Sequence, residues 1–128
     1  MSVFQCSDSP PEIPQEILDK YKKPKFREFV FKDIDKKTVL AKGIVEEVIL
    51  VYHDDVPREY WKGVEKLRFI ENDSSDKGRI EFRFMYWARK KGKANAKWRW
   101  GQFNVCLPQD HLNKLIECMQ KKGWIKLQ

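Results

Sequence analysis

The chain has 128 residues and carries 26 Lys+Arg against 19 Asp+Glu, a net charge of +7; a chain of this length reads as one domain. Leu, Ile, Val and Phe together supply 34 residues, more than a quarter of the chain, which separates it from disordered polyelectrolytes. The longest apolar runs, Val48 to Tyr52 and Phe84 to Ala88, are five residues long where a membrane-crossing helix needs about 20, residues 1–15 lack the pattern of a secretory signal, and Cys6, Cys106 and Cys118 are an odd set without CxxC spacing, so a membrane span, an export signal, a disulfide framework and a zinc cluster are all excluded.

An intracellular protein is therefore expected, cytoplasmic, or nuclear in a eukaryote. Residues 1–14 read as a flexible tail, because three of the six prolines fall between Ser7 and Pro14 and proline cannot donate to a regular ladder. Residues 15–128 read as a single α+β domain. Gln15 to Lys23 places Ile17, Leu18 and Tyr21 at helical spacing, and Pro24 stops that short helix. Lys25 to Asp33, with Phe26, Phe29 and Phe31, reads as a strand. From Thr38 to Tyr52 an every-fourth-residue apolar repeat suits a helix, while the β-branched content and Gly43 suit a long bent strand with a bulge; the strand is preferred. Pro57 is placed at the start of a short helical turn running to Trp61.

Lys66 to Glu71 alternates as a strand, Asn72 to Gly78 is a turn, and Arg79 to Arg89 alternates for eleven residues, the strongest period-2 signal in the chain. Ile80, Phe82, Phe84, Tyr86 and Ala88 share one side of it and are assigned to the core; Arg83, Met85, Trp87 and Arg89 share the other. Lys90 to Ala96 is a flexible connection. In Lys97 to Leu107 the aromatic parity changes at Gly101, and a bulge there would bring Trp98, Trp100, Phe103, Val105 and Leu107 onto one face. Pro108 to Lys122 is an amphipathic helix with Gly123 past its end and Trp124 able to pack back on it; Cys106 and Cys118 are assigned to the core. The fold class that results is α+β: an antiparallel four- to five-stranded meander packed on one face by a C-terminal amphipathic helix and a short N-terminal helix.

The charge is uneven. Residues 1–65 hold 11 basic and 13 acidic side chains, net −2, and residues 66–128 hold 15 basic and 6 acidic, net +9. If Phe82, Phe84 and Tyr86 face the core, Arg83, Trp87 and Arg89 stand on the open face, joined there by Arg68, Lys97 and Arg99. Such a cationic platform with an exposed Trp suits single-stranded DNA or RNA, whose phosphates are neutralised by Lys and Arg while bases stack on the ring. Lys90, Lys91 and Lys93 would clamp the backbone, Trp98 or Trp100 would stack a base if the parity is reversed, and Trp87→Ala would weaken binding without unfolding the domain. The competing reading for the tryptophans is core, and for the arginines a solvated face or pairing with acids such as Glu46 and Glu47.

Over residues 25–124 the order of elements resembles the small single-stranded-DNA-binding folds of the Whirly and Pur-alpha type. Members of that class generally assemble as dimers, so the resemblance implies a homodimer through the final helix. No cofactor, metal or membrane partner is called for. Two alternatives remain: an accessory subunit whose basic face meets an acidic partner protein, and a small metal-dependent nuclease using Asp33 and Asp35 or the cluster of His53, Asp54 and Asp55. The second histidine, His111, is placed in the first turn of the last helix, facing solvent. No phosphate loop, nucleophile elbow or zincin motif is present in the sequence.

Overall fold

The computed structural model describes residues 1–6, 11–72, 78–102 and 104–126, with residues 71 and 72 described by backbone alone. Among them the order of elements is β1 (Ser2–Gln5), α1 (Gln15–Lys20), α2 (Pro24–Arg27), β2 (Glu28–Lys32), β3 (Val39–Asp55), β4 (Arg58–Asn72), β5 (Ile80–Lys90), β6 (Arg99–Gly101) and α3 (Gln109–Lys121). The fold is α+β, with three helices on a mixed, mostly antiparallel sheet of six strands.

The ambiguous stretch is strand. β3 runs through the β-branched residues as one long element whose first half pairs antiparallel with β2 and whose second half pairs parallel with β1. Its other edge pairs with β4 from end to end, with register shifts between Lys42 and Gly43 and between Val45 and Glu47. These bulges bend the strand so that two short partners fit along one edge. Gly43 has a packing reason as well, because a Cβ there would stand 2.0 Å from the Arg68 carbonyl oxygen.

Helices cover both faces of the sheet, not one. Directly paired residues share a face, so Trp61 and Trp87, opposite each other on β4 and β5, lie together beneath Ile17 and Tyr21 of the first helix, with Val48 and Leu50 of β3. Leu115 and Met119 of α3 pack on Ile49, Val51 and Val64, which have the opposite parity. The physical signature is in β3 itself: Val48, Ile49, Leu50 and Val51 are all buried, the unbroken apolar run of a doubly covered strand.

Several further expectations are corrected. Ser2–Gln5, expected to be tail, is the parallel strand β1, with the Cys6 amide donating to the Leu50 carbonyl at 2.9 Å; residues 7–10 lie outside the described residues. Pro24 opens a helical turn of its own before β2 begins. Pro57 sits after a cis peptide in the β3–β4 turn, and Arg58 to Trp61 are strand, because the β3–β4 ladder runs down to Asp55 and Arg58. The last strand is only three residues long. Trp98 and Trp100 belong to the core cluster under α1 while Leu107 belongs to the one under α3, so the parity change at Gly101 carries the chain across the sheet instead of gathering the apolar residues on one side. Phe103 and residues 73–77 of the expected turn lie outside the described residues. Cys106 is exposed, not core. Trp124 does fold back, its amide donating to the Met119 carbonyl at 2.9 Å and its ring stacking on Phe82 at 5.7 Å.

Candidate functional site

The alternation of β5 is present, but the face expected to be open is the one that the N-terminal helices cover. Trp87 is 1% exposed and Met85 is fully buried, while Phe84, expected in the core, is 43% exposed. The cover comes from the N-terminal helices: the rings of Tyr21 and Phe26 lie 5.7 and 5.2 Å from Trp87, and the indole Nε1 donates to the Tyr21 hydroxyl at 3.1 Å. A base cannot stack on Trp87 in this arrangement.

The arginines beside it are tied to β4. Register places Glu65 opposite Arg83 and Glu59 opposite Arg89, and the ion pairs form at 2.7 and 2.9 Å. Each guanidinium also lies over an indole, Arg83 at 4.9 Å from Trp100 and Arg89 at 4.6 Å from Trp98. Glu65 is almost fully buried and also accepts from the Tyr21 hydroxyl at 2.8 Å. Burial pushes its carboxyl above the usual range, against the pull of Arg83 and Tyr21. Glu59 accepts from Tyr52 at 2.9 Å, and burial together with that carboxylate raises the Tyr52 phenol to about 12. Truncating one member of such a set leaves a charge without its partner.

Arg68 is on the α3 face at the far end of the sheet, paired with Glu46 at 2.9 Å, as the competing reading anticipated. Trp98 is buried, its amide donating to Glu16 at 3.0 Å. Lys91, assigned to a mobile clamp, is held by Asp54 at 2.5 Å, and its amide donates to the Pro57 carbonyl at 2.9 Å.

The remaining basic residues converge. Where the β3–β4 turn, the end of β5 and the β5–β6 connection meet, an open cleft of about 1110 Å³ is lined by Arg89, Lys90, Lys93, Lys97, Arg99 and Trp100, together with Pro57, Arg58, Tyr86, Ala88, Asn95 and Ala96. Among the described residues six cations line it and no acid does. Among the described residues, Arg58, Lys90, Lys93, Lys97 and Arg99 have no carboxylate within ion-pair distance. Arg58 pairs in register with Lys90, and Ala88 with Arg99, so these four share the sheet face that carries α3, at a corner the helix leaves open. Uncompensated like charges around a concavity raise the local potential and draw in anions.

Tyr86 has a specific seat here. A Cβ on Gly101 would come within 2.4 Å of its ring, so only glycine lets the strand and the ring lie this close, and the ring meets Tyr60 edge-on at 5.9 Å. Arg58 and Tyr86 were missed in the sequence for different reasons. Arg58 belongs to the half of the chain with net acidic charge, and only the β3–β4 turn carries it to the basic end; Tyr86 has the parity that reads as core.

The acidic and histidine candidates are engaged elsewhere. Asp35 accepts from the amides of Lys37 and Thr38 at 2.8 and 2.9 Å and from the Thr38 hydroxyl at 2.7 Å, which lowers its pKa; Asp33 accepts from the Ile34 amide at 2.6 Å. Both shape the β2–β3 turn. His53 meets His111 of α3 edge-on at 5.1 Å, and the Nδ1 atoms of both rings are buried without a partner. Burial, with Lys62 adding repulsion, holds both imidazoles below their ordinary value. Among the described residues no group of three or more His, Cys, Asp and Glu side chains could hold a metal ion, and no helix is long and apolar enough to cross a membrane. No protein-family model, curated protein or solved structure matches the chain.

Proposed function

We propose that the protein is a non-enzymatic nucleic-acid-binding domain that takes single-stranded DNA or RNA in the cationic cleft, with little sequence preference. The observation that carries this reading is the convergence of Arg58, Lys90, Lys93, Lys97 and Arg99 on one cleft that no acid lines among the described residues. Such side chains exchange condensed counterions for phosphates, which gives affinity without reading bases. The cations stand on strands and a loop, not on a helix that could enter a major groove, which favours single strands over duplex.

The earlier platform of Arg83, Trp87 and Arg89 is replaced by the opposite parity of the same strand. Tyr86 and Ala88 line the cleft there, while Trp100 and Arg89 reach it from the other side. Titrating tryptophan fluorescence with single-stranded DNA, duplex and RNA oligonucleotides tests the reading, because Trp100 lines the cleft. Quenching by single strands is expected, stronger than by duplex. The absence of any change at low salt with all three would turn the reading toward an acidic protein partner for the same cations.

A further inference from the structure

We infer that the cleft holds an unstacked nucleobase against Tyr86, over the small side chain of Ala88, while the surrounding cations hold the neighbouring phosphates. The inference rests on the nucleic-acid reading of the cleft and names the part of the ligand that the charges alone do not select. Ala88 lines the cleft between Tyr86 and Lys90 on the same face, and its β6 partner across the ladder is Arg99. A methyl side chain at that position leaves depth between an aromatic ring and two cations, where any longer side chain would fill it. The ring beside it is fixed, since Gly101 closes against Tyr86 and Tyr60 meets it edge-on. A rigid ring bordering a shallow, positively charged slot is the arrangement that stacks a base while its backbone is neutralised, and every base has a face to offer. A polyanion without bases would use the cations and leave the slot empty.

The test separates the two contributions. Fluorescence anisotropy is measured with a labelled oligothymidylate and with an abasic strand of the same length, each across a salt series. The wild-type protein is expected to bind the oligothymidylate about 5- to 150-fold more tightly than the abasic strand, the range that stacking of one base on a ring supplies. Ala88→Leu is expected to bring that ratio close to one and to leave the salt dependence unchanged. Lys90→Ala is expected to do the reverse, keeping the ratio and flattening the salt dependence for both strands. Equal wild-type affinity for the two strands would overturn the base slot while leaving a cationic phosphate-binding cleft. Failure of both strands to bind at low salt would overturn the nucleic-acid reading itself, and the slot with it. The wild-type comparison needs no substitution, so the inference can be overturned even if Ala88→Leu fails to fold, which its urea midpoint would reveal.

Discussion

The two faces of β5 carry nearly the same chemistry and do opposite things. On one, Trp87 is covered by the N-terminal helices, while Arg83 and Arg89 are pinned by Glu65 and Glu59 and laid over Trp100 and Trp98. On the other, Tyr86, Ala88 and Lys90 border a cleft whose cations, apart from Arg89, have no acidic partner among the described residues. Alternation along a strand places residues on faces without saying which face is covered; cross-strand acids decide whether an arginine is part of the core's rim or available to a ligand. The conspicuous aromatic and cationic stripe is used by the fold, and the plainer one borders the open cleft.

The largest expected effect falls on the covered face. Trp87→Ala should cost about 3–5 kcal/mol, the range for removing a large buried aromatic side chain, so urea denaturation should show a protein close to unfolding and not a folded one with weak binding. Glu65→Ala should cost about 3 kcal/mol by leaving Arg83 without its buried partner, and a double-mutant cycle with Arg83→Met should recover part of the loss. If either variant keeps the wild-type urea midpoint, the covered face has been assigned wrongly.

A smaller, pH-dependent effect concerns the edge of the α3 face. His53 and His111 are held below the ordinary 6.5 by burial and by Lys62, so the folded state binds fewer protons than the unfolded chain. Their contribution to stability is complete above about pH 6.5 and is lost as pH falls through the folded values. Asp55 and Asp110 oppose this and Lys114 adds to it at His111. Melting temperatures should therefore decline between pH 6.5 and 5, and His111→Gln should flatten that decline; an unchanged slope in His111→Gln would show that other groups control it.

The smallest effect is the most discriminating between neighbouring lysines. Lys91→Ala loses an exposed pair with Asp54 worth about 0–1 kcal/mol and should leave oligonucleotide affinity nearly unchanged, whereas Lys90→Ala should reduce the salt slope of binding by about 0.7. Equal effects of the two on binding would mean that the connection moves as a whole.

Much of the fold was legible because its signals are local. The period-2 run of β5, the capped amphipathic pattern of α3 and the β-branched content of β3 each survive as elements with nearly the expected bounds. What was not legible depends on long-range contacts: that residues 2–5 add a parallel strand to β3, that Tyr21 and Phe26 cover Trp87, and that Arg83 finds Glu65 across the sheet. The site was half legible for the same reason. The basic residues of the β5–β6 connection stand together in the sequence, so Lys90, Lys93, Lys97 and Arg99 could be named. Arg58 arrives from a separate hairpin turn, and Tyr86 faces the cleft only because the N-terminal helices cover the other side of its strand and α3 leaves that corner open.

The most direct measurement is the salt dependence of binding to a single-stranded oligonucleotide, with the wild-type protein and the double variant Lys90→Ala/Arg99→Ala compared at equal folded stability. Five cations without acidic partners among the described residues predict a slope of log affinity against log salt of about −3.5, near a 100-fold loss between 50 and 200 mM, and a slope of about −2.1 for the double variant. Identical slopes for the two proteins, or no binding by the wild type at low salt, would contradict the assignment of the cleft as the nucleic-acid site.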